Sequence, residues 1–334
     1  MCKKQGGTLP YALLILLQSV LYGFGNPLSK IGFESITVLW CLGIRFSGAA
    51  ALMLLLFGRR TVRTLRAAPL KAWLPCSLAM AAAYASCNLA LQFTTATNVG
   101  FLMSLLVMFT PALAWLVLKR PYPRRIIPIQ LAVIVGLYLL CCGGESGGFA
   151  FGVGEVLGLV CALALAAALV FSERSLPGID PISMAAAQAT VTGVLCLAAA
   201  LIFDDVAVLP QVTVTGWLVV AYLALLCTCL SYVLQNTALT RLSSYTVSLL
   251  QCTQPILTAA CSYLLLGGEA VGDRTGGSGA YRGLRGAGKL AERPKTNRIR
   301  IRGRSFLNVL LFSYKETFAV EIGRFLTIVM CDAG

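Results

Sequence analysis

Nine apolar blocks follow one another along this chain. They fall at about 10–32, 35–57, 70–92, 96–118, 126–143, 151–172, 181–203, 214–238 and 244–266, and each is long enough to cross a bilayer. Lipid offers the backbone no hydrogen-bond partner, so each block has to be a helix. The expected fold class is an all-α polytopic membrane protein. Composition leaves no soluble alternative: 58% of the residues are hydrophobic and 12% are charged, against about a quarter charged in an average soluble chain.

Inside these blocks one pattern occurs twice. The first copy holds Tyr84, Asn88, Ala90 and Leu91, then Ser104, Leu106, Pro111 and Leu113. The second holds Tyr232, Asn236, Ala238 and Leu239, then Ser248, Leu250, Pro255 and Leu257. The order is the same, and only the turn between the two parts is shorter in the second copy. A doubled pair of membrane helices marks a carrier built from two related halves.

Charge sets the orientation. The net charge is +14, yet its distribution is not a nucleic-acid footprint. Lys3, Lys4, Arg59, Arg60, Arg63, Arg66, Lys71, Lys119, Arg120, Arg124, Arg125, Arg174 and Arg241 collect on one side of the expected spans. The other side has Lys30 with the acids Glu34, Glu145, Asp204 and Asp205. Basic loops stay inside, so the N-terminus is expected in the cytoplasm. Lys3 and Lys4 precede the apolar run Tyr11–Leu21 with no small-residue cleavage site after it, which reads as an uncleaved first helix. The thirteen cysteines form no Cys-x-x-Cys pair and histidine is absent, so no metal site or cofactor is expected.

The Asn-x-Ala-Leu … Pro signature in both copies resembles the EamA-like family of the drug/metabolite transporter superfamily. Asn88 to Lys119 is similar to that family's third and fourth helices, and Ser231 to Glu269 to its eighth and ninth. The resemblance implies ten helices as two inverted repeats, here 8–143 and 151–269, with the tenth helix missing or replaced. The Leu-Gly-Glu turn that ends the family's ninth helix is present as Leu266, Gly267, Gly268 and Glu269, with one extra glycine. The equivalent turn after the fourth reads Leu118, Lys119 and Arg120, so its acid is lost. Beyond Glu269 the pattern stops. Residues 270–304 are rich in Gly and Arg and are expected to be disordered. Residues 305–331 repeat apolar positions at helical spacing, as an interfacial amphipathic helix would.

Polar residues inside the blocks mark where a solute could bind, since each is costly in lipid. Gln18, Tyr22, Asn26 and Ser29 share a face of the first helix, Thr97, Ser104 and Pro111 one of the fourth, and Ser248, Gln251 and Pro255 one of the ninth. Thr228, Tyr232, Gln235 and Asn236 form a stripe matched by Tyr84 and Asn88. The alternative role for all of them is hydrogen-bonded glue between helices. Arg45 stands out. It lies roughly 15 Å into the second helix, with no Asp or Glu at that depth in any block. Either it ties helices together or it meets an anionic part of the solute. Gln188 occupies the similar place in the seventh helix. Glu155, at the start of the sixth, suits the positive end of the helix dipole.

These readings point to a secondary transporter of the cytoplasmic membrane that moves a small organic solute outward by alternating access. The candidate binding residues are Tyr22, Asn26, Arg45, Tyr84, Asn88, Ser104, Pro111, Gln188, Tyr232, Asn236, Ser248, Gln251 and Pro255. The partners expected are the solute and the bilayer, with no nucleic acid and a homodimer left open. Two rival readings stand beside it: a truncated or frame-shifted remnant without function, and a membrane-embedded enzyme.

Overall fold

A computed structural model describes residues 8–93, 99, 102–122, 127–128, 130–131, 135, 152–254, 257–258 and 261. The side chains of Asn26 and Lys30, most of the fifth expected span, the later part of the ninth with Pro255, and residues 270–304 and 305–331 lie outside the described residues. The elements are α1 (Leu9–Gly32), α2 (Val38–Ala67), α3 (Leu70–Phe93), α4 (Leu106–Leu118), α5 (Val153–Ser175), α6 (Pro181–Phe203), α7 (Val214–Leu239) and α8 (Ser244–Gln251). No strand occurs among the described residues. Five helices, α1, α2, α5, α6 and α7, are long and apolar enough to cross a membrane.

Local chemistry starts the helices where the sequence places polar caps. Thr37, Asp180, Thr213 and Ser243 accept the backbone N–H three residues on, at 3.4, 3.2, 3.1 and 3.4 Å, which satisfies a donor the first turn would otherwise leave bare. At the start of α5 the Glu155 carboxylate accepts the Gly152 N–H at 2.9 Å. The second helix does not stop near residue 57 as expected. Arg and Leu are strong helix formers, and although Gly58 weakens the helix, no proline interrupts it before Pro69, so α2 runs on to Ala67 with exposed Arg59, Arg60 and Arg63 on its last turns.

The helices bury two kinds of surface. α2 lies antiparallel along α6, and glycines let the backbones touch. A Cβ on Gly43 would lie 3.0 Å from Leu197 Cα, and one on Gly193 would lie 2.8 Å from Ser47 N. Apolar helices gain little by hiding from lipid, so such close approach, with its dispersion contacts, is what holds them together. The pair is pinned at both ends. Thr37 donates to Asp204 and the Trp40 indole to the Asp205 carbonyl at 3.2 Å. At the other end Asp180 accepts Thr64 at 3.2 Å and faces Arg60 at 3.4 Å. Partial burial raises the Asp180 pKa, but the hydrogen bonds from Ser183, the Arg60 charge and Thr64 outweigh it, and the carboxyl ends below its usual value.

The remaining contacts pair α3 with α5 and α6, α4 with α5 and α8, and α1 with α7 and α8. The outer surface stays apolar: Leu55 is 83% exposed, Val214 77% and Phe203 76%. So much exposed apolar side chain suits acyl chains and not water. α4 ends at Lys119, whose φ of 54° is left-handed. Glycine is the residue that adopts this conformation without strain.

Candidate functional site

Four helices meet around Arg45. α2 supplies Arg45 and Phe46, α1 supplies Tyr22, α3 supplies Tyr84, and α7 supplies Cys227, Thr228 and Tyr232. Arg45 is 6% exposed and sits about 11 Å past the start of α2, somewhat shallower than its sequence position suggested. Its Nε donates to Thr228 Oγ1 at 2.8 Å and its Nη2 to the Cys227 carbonyl at 3.4 Å. The guanidinium carbon lies 5.0 Å from the centre of the Phe46 ring and 5.4 Å from that of Tyr84, close enough for cation–π attraction. Tyr84 stands edge-on to Phe46 at 4.9 Å and 6.1 Å from Tyr232. Tyr22 and Tyr84 share a hydrogen bond of 2.5 Å. Among the described residues no carboxylate pairs with Arg45.

The Cys227 carbonyl and Thr228 that Arg45 meets lie in an unusually wound part of α7. Leu223–Leu230 is a π-helical stretch. The side-chain hydroxyls of Thr228 and Ser231 each donate to a carbonyl five residues back, Leu223 at 3.0 Å and Leu226 at 2.9 Å. The wider turn shifts carbonyls off the usual ladder, and such bulges recur at functional sites. Thr228 belongs to the polar stripe legible in the sequence. Cys227 does not, because its side chain carries no signal and only its carbonyl is used.

Two more polar groups lie further along α7. Gln235 Oε1 accepts Gln18 Nε2 and Gln251 Nε2, both at 2.9 Å, which joins α1, α7 and α8. Gln188 Nε2 donates to Ser172 at 2.9 Å, and Gln188 Oε1 accepts Asn236 Nδ2 at 2.9 Å, which joins α5, α6 and α7. Thr228, Tyr232, Gln235 and Asn236 fall within about 12 Å along one helix.

Of the candidate residues, Tyr22, Arg45, Tyr84 and Tyr232 therefore come together. Gln188 with Asn236, and Gln251 with Gln18 and Gln235, form the two flanking groups. Asn88 turns back on its own helix to the Tyr84 carbonyl at 2.8 Å, as Asn236 does to the Tyr232 carbonyl at 3.0 Å. Ser248 likewise bonds the Tyr245 carbonyl at 2.8 Å. Ser104 is buried just before α4. Pro111 removes the N–H that would serve the Val107 carbonyl, and Gln130 Nε2 takes that carbonyl at 2.6 Å. Gln130 was not singled out in the sequence, although it lies five residues after Arg125, the last arginine of its loop, in a block with few other polar groups. Asn26 and Pro255 lie outside the described side chains.

Long apolar helices around a buried, partly matched cation define a multi-pass membrane protein with an interior polar site. The description "EamA-like transporter family" matches residues 9–142 and again 152–272, and the chain belongs to that family. It is 32% identical over 166 residues to an uncharacterized transporter of Archaeoglobus fulgidus (strain ATCC 49558 / DSM 4304 / JCM 9628 / NBRC 100126 / VC-16), a match that covers 48% of this chain and 50% of that protein. The chain thus spans about half the length of this curated relative. A solved crystal structure resembles it with a TM-score of 0.64 at 17% identity, covering 76% of this chain and 87% of the other. At that identity the likeness speaks to the fold alone. The family is one of transporters, and the relative too is named a transporter.

Proposed function

We propose that this chain is a secondary transporter of the cytoplasmic membrane that moves a small organic solute, in the outward direction, by alternating access. The two halves, 8–143 and 151–269, are inverted repeats, the N-terminus lies in the cytoplasm, and the solute binds between the halves. The packing supports the symmetry. Exchanging the halves turns the α3–α5 pair into α7–α1, turns α4–α5 into α8–α1, and leaves α2–α6 and α4–α8 as they are. All of these pairs are present.

The observation that carries the reading is the meeting at Arg45. Three helices of the first half and one of the second converge on a buried cation whose donors are only partly used. Rocking of the halves opens this junction to one side and then the other. The test is uptake of a metabolite library into inverted vesicles that contain wild-type protein, Arg45→Gln or Arg45→Lys at equal abundance. A transported solute whose apparent affinity drops in Arg45→Gln is the expected result. Unchanged affinity in both variants would remove Arg45 from the solute site.

A further inference from the structure

A guanidinium carries five N–H donors. Arg45 spends two, one on Thr228 and one on the Cys227 carbonyl. The other three have no acceptor among the described residues. Nor do the described residues offer a counter-ion: the acids among them are Glu34, Glu155, Glu173, Asp180, Asp204 and Asp205, all at the ends of apolar blocks, and none pairs with Arg45. Beside the cation, Tyr232 is 1% exposed and its hydroxyl has no hydrogen-bond partner among the described residues. Around both stand the rings of Phe46, Tyr84 and Tyr232. The site thus offers forked donors, a spare hydroxyl and flat apolar walls. That set recognises a planar oxyanion joined to an apolar body.

Resting on the carrier reading above, we infer that the solute is a monocarboxylate with a flat or apolar body, that its oxygens take the open N–H groups of Arg45 and the Tyr232 hydroxyl, and that the protein works as an anion exchanger. The exchange follows from the same imbalance. An occluded carrier without solute holds an uncompensated cation away from water, a costly state. With the carboxylate bound, the charges cancel. The loaded carrier therefore crosses between its two openings faster than the empty one, and an anion on the far side speeds the return. No proton relay is needed, and none of the acids named above lies where one would sit.

The test has two arms. In the first, purified protein in detergent is titrated with benzoate against benzamide and hexanoate against hexanamide, pairs that differ in charge and little in shape. Wild-type protein is expected to bind each acid about tenfold or more tightly than its amide. Arg45→Gln is expected to lose that preference, Arg45→Lys to keep part of it, and Tyr232→Phe to weaken acid binding a few-fold. Equal binding of acid and amide by the wild type, or a preference that survives in Arg45→Gln, overturns the carboxylate assignment. The second arm measures counterflow in proteoliposomes with labelled benzenesulfonate, a permanent anion that does not leak as a neutral acid. Several-fold faster uptake into liposomes preloaded with unlabelled benzenesulfonate supports exchange, and equal rates refute it. If benzenesulfonate moves but acids and amides bind equally well, the carrier reading stands and the carboxylate inference falls. If acids bind selectively and nothing moves, the carrier reading falls while the assignment of Arg45 stands.

Discussion

Replacing Gln130 by Leu should destabilise this protein, and replacing Pro111 by Ala should abolish most of that effect. The reason is one carbonyl. Pro111 sits inside α4 and cannot donate to Val107 O one turn earlier. Val107 is 1% exposed, so no water reaches the gap, and Gln130 Nε2 fills it at 2.6 Å while its own Oε1 accepts the Tyr122 hydroxyl at 2.9 Å. Interhelical hydrogen bonds in membrane proteins contribute about 0.6 kcal/mol on average, while a buried carbonyl left bare costs about 1–3 kcal/mol. Here the loss of the partner also strands the carbonyl, so about 2 kcal/mol is expected for Gln130→Leu. With Ala at position 111 a backbone N–H serves Val107, and Gln130→Leu should then cost under about 1 kcal/mol. Reversible unfolding in mixed micelles across the four-member cycle measures the coupling. Equal costs in the two backgrounds would refute the account.

Gly43→Ala should lower stability by about 1–3 kcal/mol, since its Cβ meets the Leu197 backbone at 3.0 Å. On the same helix Gly48→Ala meets nothing within 4 Å and should gain up to about 1 kcal/mol from helix propensity; paired thermal denaturation of the two variants checks both signs. Lys119→Gly should raise the melting temperature by relieving the left-handed residue at the end of α4, and an unchanged or lower value counts against strain there. The folded pKa of Asp180 lies below its ordinary value of 3.8, so its contribution is complete above that value and is lost as pH falls through the folded pKa. Asp180→Asn should therefore melt below wild type at pH 7, and the gap should narrow as the pH falls below 3.8; a gap that stays constant down to strong acid would show that the charge is not the cause.

The sequence announced some elements more clearly than others, and the difference is physical. The seventh expected block and α6 coincide at Pro181–Phe203 because Asp180 and Pro181 open the helix and Asp204 and Asp205 close it. Span and hydropathy place α7 equally well, but nothing in its residues announces the π-helical stretch at Leu223–Leu230. Arg45 meets its acceptors Cys227 and Thr228 inside that stretch. Helical spacing put Asn88 and Ser248 on the same faces as Tyr84 and Gln251. Short polar side chains, however, find their own helix's carbonyls closer than any neighbour, and both turned there. Pro111 had the reverse fate: the missing donor was legible, but the residue that supplies the replacement lies in another block.

If the two halves are repeats, as proposed above, the place in α6 that matches Arg45 holds no cation. Gln188 occupies in α6 the place of Arg45 in α2. The acceptor of Arg45 is Thr228, four residues before the tyrosine of the second copy. Four residues before the tyrosine of the first copy stands Met80, packed with Ala185 and Ala186 in the core. A thioether is a weak acceptor, so an arginine at 188 would face no equivalent partner. Gln188 instead closes a neutral circuit with Ser172 and Asn236. Charge and acceptor thus survive together in one half and are missing together in the other. Gln188→Arg should accordingly bury a charge with no carboxylate beside it, take from the Asn236 amide one of its two acceptors, and cost about 3–5 kcal/mol. Adding Met80→Thr should return about 1–3 kcal/mol of that, the range for a hydrogen bond to a charged group. Unfolding of the single and double variants in micelles decides it, and a Gln188→Arg protein as stable as wild type, or no recovery from Met80→Thr, breaks the link between the two positions.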